Sequence, residues 1–338
     1  MRIFLAAAAV SILAAPAAAE TFNAHSIDIV HAAANVTVIP EDRANIDVAI
    51  TAGGRLAAPQ ARMTGEGLVI DGGLGNRFQG CRTNMSGQTT VRIRGVGNVS
   101  RSELPQITLR VPRALDLTAA GAVYTEIGAS SGGSVNVSGC GDTNIAATAG
   151  ALAVTLNGSG DVDVEAVSGA LTAVLNGSGS LEVESTRGEA RLRLNGSGDL
   201  RVGDVDGALD AVLAGSGSLR ARDARGARLA LNGSGSINAG AIHGALDADL
   251  TGSGSLRVAF VEGESADLNL TSSGSLVVNS GRVQRLRARS AGSGGVQFGG
   301  AAEVTSATLT GSGSISIADA GRVEQLIDNG SGSISVGR

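Results

Sequence analysis

Leu152-Ala153-Val154-Thr155-Leu156-Asn157-Gly158-Ser159-Gly160-Asp161-Val162-Asp163-Val164 is followed by a second copy of itself, Leu171-Thr172-Ala173-Val174-Leu175-Asn176-Gly177-Ser178-Gly179-Ser180-Leu181-Glu182-Val183. Both copies alternate apolar with polar or small residues on either side of a Gly-Ser-Gly triplet. Alternation with period two means strands buried on one face. A helix would need apolar residues every three or four positions, and this density of glycine would break it. The triplet begins at Gly158, Gly177, Gly196, Gly215, Gly233, Gly252, Gly292, Gly311 and Gly330, with variants at Gly139-Cys140-Gly141 and Ser272-Ser273-Gly274. Its spacing is 18–20 residues throughout. A flexible Gly/Ser linker keeps no such period. A second glycine marks each copy, as at Gly169, Gly188, Gly207 and Gly226.

The expected fold is therefore all-β: a parallel β-solenoid (β-helix) with coils of about 19 residues, each coil stacking on the next. Rungs about 4.8 Å apart would make the triplet-bearing coils a rod of about 50 Å. The turn residues Asn157, Asn176, Asn195, Asn232 and Asn329 precede the triplet, and Ser159, Ser178, Ser197, Ser216 and Ser234 lie within it. Stacking predicts an amide ladder and a hydroxyl row at these positions, both structural.

Working outward, residues 20–118 lack the triplet but keep the strand alternation at Ile27, Ile29, Val36, Val38, Ile46, Val48 and Ile50. They are expected to form a strand-rich N-terminal cap, with the solenoid proper at 119–338. Residues 1–19 have a positive start, an apolar run and Ala17-Ala18-Ala19, the pattern of a secretory signal peptide. The apolar run is short for a membrane span, and no later segment could be one. Export would place the protein in the periplasm, on the outer surface or outside the cell. The C-terminal stretch stops in mid-pattern, which predicts an edge prone to self-association.

Composition removes several chemistries. The 338 residues hold 26 basic residues, all Arg, so a P-loop, a Schiff-base enzyme and a protein kinase each lack their Lys. A net charge of −5 argues against nucleic acid as partner. With 5 Phe, 1 Tyr and no Trp, the core must be built from Leu, Val, Ile and Ala. Cys81 and Cys140 leave two readings open, a disulfide permitted by an oxidising compartment or two free thiols.

The remaining motifs are weak. Gly-Ser-Gly is not followed by a helix, so it is a turn rather than a phosphate loop. Gly128-Ala129-Ser130-Ser131-Gly132 fits G-x-S-x-G, but His25, His31 and His243 lie in no supporting motif. Asp161 and Asp163 offer carboxylates without the repeat of a calcium β-roll. No catalytic, cofactor-binding or metal-binding set stands out, and no enzyme activity or cofactor is expected. Among outward positions, Asp163 and Glu182 place acids on early coils, while Arg201, Arg220 and Arg257 form a candidate polyanion stripe on later ones.

Residues 22–50, the strand ending Leu109-Arg110-Val111-Pro112, and the repeated coils with small-residue turns resemble the GIN-type head domain of auto-transporter adhesins. The resemblance implies a right-handed parallel solenoid and an envelope or surface role, and it supplies no catalytic residues. No translocator strands follow the repeats. The expected function is a non-enzymatic, adhesin-like or structural binding module of the cell envelope, with a glycan or a protein as ligand. The alternative is a polysaccharide-binding or polysaccharide-degrading β-helix protein.

Overall fold

The computed structural model describes residues 19–83 and 89–337. The leader assigned to residues 1–19 thus lies, but for its last residue, outside the described residues. Strand makes up 73% of the described residues, arranged as a parallel β-solenoid of about 12 turns. The coil is readable in the burial of one copy. Leu152, Val154, Leu156, Gly160, Val162, Val164 and Val167 point inward, and the pattern restarts at Leu171. Inward residues are two apart along each strand, so a wider step marks a corner. The wide steps fall at the triplet, between Val164 and Val167, and after Val167.

Successive coils pair in parallel and in register, Leu152 with Leu171 and Leu171 with Ala190. This register stacks the core in columns. One column reads Leu171, Ala190, Leu209, Ala227, Leu246, Ala266, Leu286. Its neighbour reads Ala173, Leu192, Ala211, Leu229, Ala248, Leu268, Ala288. The two columns alternate out of phase, so each coil contributes one Leu and one Ala and each Leu fills the gap above an Ala. Volume per coil stays constant while neighbouring layers interdigitate, as close packing requires. A third column is Leu from Leu156 to Leu270, interrupted at Ser290, whose buried hydroxyl has no partner.

The triplet is the chemistry of the first corner. The carbonyl of Gly158 accepts N–H bonds from both Ser178 and Gly179 of the next coil, at 3.0 and 3.2 Å. Gly177, Gly196, Gly215 and Gly233 do the same one coil further on. The first glycine has φ near +140°, for example +141° at Gly196, where an added Cβ would lie 2.3 Å from the Gly177 carbonyl oxygen. Only glycine meets both demands without strain. The turn amides are thus consumed by backbone, which removes them as an anion cradle.

The N-terminal region both extends the solenoid and caps it. Strand Ser26–Glu41 is itself a rung, paired in parallel with Ala114–Ile127. On its other side lie Gly67–Asp71 and Gln106–Pro112, the two halves of one coil. Its residues Ile27, Ile29, Val36 and Val38 carry the inward alternation, so the segment slots between coils that come later in sequence. Strand Ala114–Ile127 runs through the expected boundary at 118–119 without a break. Capping falls to antiparallel strands: Ile46–Thr51 on Gln106–Pro112, Gln60–Thr64 on Gly67–Asp71, and Glu20–Phe22 on Ile46–Thr51. These cover the edge that a parallel stack would otherwise offer.

Residues 72–105 interrupt the first coil and carry a three-stranded antiparallel sheet, Phe78–Thr83, Thr89–Ile93 and Gly97–Ser100. This insertion lies on the outside of the rod over a second apolar cluster that includes Leu74, Val91, Ile93, Val99, Ala122 and Tyr124. The Arg101 guanidinium stands 4.7 Å from the centre of the Tyr124 ring. Cys81 of the insertion is disulfide-bonded to Cys140 of the rod, across 59 residues of sequence. Closing a loop of that length restricts the unfolded chain by about 4 kcal/mol. At the far end, strand Arg322–Asp328 leaves Val323 and Leu326 40% and 46% exposed among charged neighbours.

One coil breaks the turn rule. Ser272 occupies the first-glycine position with φ of +134°. Ser272→Gly should therefore raise stability by about 1 kcal/mol or more, and Gly196→Ala should lower it by about 2 kcal/mol or more. Urea denaturation followed by circular dichroism reads both shifts.

Candidate functional site: a charge-divided groove on the outer corner

The slip between Val164 and Val167 sets a corner at Glu165. On the outside of the rod this corner leaves a longitudinal groove. Its floor is the backbone of the inward Val164 column. One wall is the outward column of Asp163, the other that of Glu165. Over the early coils the groove encloses about 720 Å³ and is lined by Glu126, Asp163, Glu165, Glu182 and Glu184. A second stretch of about 630 Å³ continues from Glu182 and Glu184 to Arg201, Arg220, Arg222 and Asn238. The first wall is one unbroken register: Glu126, Asn144, Asp163, Glu182, Arg201, Arg220, Asn238, Arg257.

The acidic half is electrostatically costly. Burial, then the neighbouring Glu182 and Asp161 carboxylates, push the Asp163 carboxyl above its ordinary range. Asp142 is raised by burial and by Asp161, with the Arg101 guanidinium acting against them. Asn144 donates to Glu126 at 2.9 Å, and the Ala147 amide donates to Glu165 at 3.2 Å. In the basic half, Arg201 and Arg220 share Asp199 at 3.6 and 3.4 Å, and Arg222 faces Asp204 at 3.4 Å. These are exposed pairs, each worth about 0–1 kcal/mol.

Another face of the rod carries a charged column of its own. Its outward column runs Arg191, Asp210, Arg228, Asp247, Asp267, Arg287. Opposite charges meet there, with Arg193 on Asp210 at 2.8 Å, Arg287 on Asp267 at 3.6 Å and Arg228 on Asp247 at 3.9 Å. Like charges also stack, Asp267 above Asp247 on that face, and Glu182 above Asp163 and Arg220 above Arg201 in the groove. Like charges in directly opposed pairs destabilise a sheet.

The residues singled out from sequence are placed as follows. Asn176 donates to Asn157 and Asn195 to Asn176, both at 2.8 Å. That ladder ends at Ala214, which follows Asn195 in register. Asn232 lies between Ala214 and Thr251, and Asn329 stands away from the other four, so the expected ladder joins only three of its five members. Ser159, Ser178, Ser197, Ser216 and Ser234 sit at the outer corner, where their amides bond the coil below. Hydroxyl pairs form in later coils, Ser273 with Ser293 and Ser312 with Ser331. Arg201 and Arg220 are adjacent in the groove. Arg257 lies two rungs beyond Arg220, past Asn238, and outside the lined stretch.

Sequence reading missed Arg222, Glu165 and Glu184, because the second wall exists only where the strand turns. The three-residue step from Val164 to Val167 was its one signal. Ser130 of the G-x-S-x-G match is buried and bridges Thr148, so its hydroxyl is not displayed as a nucleophile's must be. Among the described residues, no three His, Cys, Asp or Glu side chains gather to hold a metal ion.

The sequence profile of the family described as "Putative auto-transporter adhesin, head GIN domain" matches residues 73–224 and again 224–337. The junction at Ala224 falls inside a continuous column, between Val205 and Ile242. No curated protein matches the chain. Among solved structures, a crystal structure of a "Putative lipid binding protein" from Parabacteroides distasonis is similar at 17% identity, over 95% of this chain and 97% of that one. Its TM-score is 0.22, and at that value the likeness carries no argument about this chain.

The raised carboxyl of Asp163 gives a pH signature. A folded-state pKa above the unfolded one means the charged form opposes folding at neutral pH, and that penalty fades as pH falls through the raised value. Asp163→Asn should therefore raise the melting temperature at pH 7, and its advantage over the unsubstituted chain should shrink below the carboxylate range. Thermal melts at pH 7 and pH 3.5 test this. Asp204→Asn, outside the groove, serves as comparison.

Proposed function

We propose that this chain, which belongs to the GIN head-domain family, acts as an exported, non-catalytic binding module of the bacterial cell envelope or surface. The observation that carries the reading is the groove: an unbroken register of outward side chains runs along the rod, with acids on its early rungs and Arg on its later ones. A surface that repeats every rung suits an extended ligand through many weak contacts. The leader-like residues 1–19 and the Cys81–Cys140 bridge both support export, since disulfides persist in oxidising compartments.

Protease shaving of intact cells tests the location. Loss of the rod while a periplasmic control survives is the outcome expected for surface display. Protection until the outer membrane is permeabilised would move the binding role to the periplasm. Recovery in the cytoplasmic fraction would end the reading.

One observation favours the second reading, polysaccharide binding or cleavage. Glu182 and Glu184 line one groove, and a pair of carboxylates is what glycosidic cleavage employs. Release of reducing ends from a polysaccharide by the unsubstituted chain, abolished in Glu182→Gln, would establish cleavage. Equal backgrounds in both would leave binding alone.

A further inference from the structure

We propose that the basic half of the groove binds a uronate-bearing polysaccharide laid along the rod axis, each bound sugar offering a carboxylate to Arg and hydroxyls to Glu. The assignment rests on reading the rod as a binding module and names its ligand class. Arg201 and Arg220 stack on one wall in direct register, with Asn238 next. Arg222 stands on the opposite wall. It is flanked there by Gly203 and Gly240, which add no side chain to that wall. Two walls of guanidinium groups are built to grip carboxylates, because the planar fork donates two parallel bonds.

Their present partners, Asp199 and Asp204, are exposed and exchangeable. At the lower end Glu182 and Glu184 line the same stretch. They would repel the dense phosphates of a nucleic acid. Toward a uronic sugar they are useful, since ionised carboxylates accept hydrogen bonds from ring hydroxyls. An acidic peptide brings the carboxylates without a matching set of hydroxyl donors. The lattice also favours a polymer of identical units, because Arg201 and Arg220 repeat at the rung step of about 4.8 Å. On this wall Arg220 stacks directly above Arg201, at a cost that a bound anion would relieve.

Calorimetric titration of the full chain with oligogalacturonate tests the proposal, with neutral dextran and a DNA duplex as comparators. Binding should weaken with added salt. It should fall at least about tenfold in the double variant Arg201→Gln/Arg220→Gln, because bonds to charged groups are lost. It should be unchanged in Arg228→Gln on the ion-paired face. Arg220 and Arg228 are exposed and Arg201 is half-buried, and circular dichroism checks the fold. Binding that survives the double variant, or DNA bound as tightly, would overturn the proposal. So would no heat with oligogalacturonate. If the chain then still sediments with isolated envelopes, the binding-module reading stands and only the ligand class falls; if it does not, both fall.

Discussion

The structure depends on the in-register hydrogen bonding of one coil to the next, and this is most demanding at the Gly-Ser-Gly corner. There one carbonyl takes two amides from the coil above, and the backbone passes so close that a Cβ cannot fit. That contact fixes the vertical step and therefore the register. Register in turn decides which side chains meet, since a slip by one residue would turn every inward Leu to solvent. The out-of-phase Leu and Ala columns work only because the corner holds each coil directly over the last.

The same register makes outward chemistry additive. A residue type repeated at one position of the period becomes a row, with neighbours one rung apart. Where evolution sets opposite signs together, as at Arg191 and Asp210, the row neutralises itself. Where it sorts them, as in the groove, the row carries a field. A natural sequence that departs from local consistency at one place, and keeps it elsewhere, marks a site of function. The fold's regularity gives this comparison its force, because both rows share one backbone and one spacing.

The N-terminal third shows how a solenoid is begun. The rung Ser26–Glu41 is enclosed by coils that follow it in sequence, so the starting end forms by long-range closure rather than by local propagation. The insertion at residues 72–105 is then fastened to the rod by an apolar patch and a disulfide. Glu103, at its base, is held down to about 2 by the amide and hydroxyl of Ser100 and by Arg55. Glu103 thus favours the folded state at neutral pH, while Asp163 in the groove opposes it, so the two groups answer acidification with opposite sign.

The sequence by itself determined the solenoid. Its period, its glycine corners and its inward positions are all local properties of a nineteen-residue copy, repeated often enough to be unambiguous. It also determined the Arg201–Arg220 adjacency, because residues one period apart become neighbours in any such stack. Three things were decided only in three dimensions. The partner of Cys81 was open because its loop lies outside the repeat, so no period relates it to Cys140. The extent of the Asn ladder was cut by Ala214, since an amide chain needs every rung and one methyl group ends it. The groove required the corner after Val164, where a three-residue step brings Glu165, Glu184 and Arg222 to face Asp163, Glu182 and Arg220. Period two predicts which side of a strand a residue takes. Where the strand bends, and which columns come to face one another across that bend, is set by the packing of the whole coil.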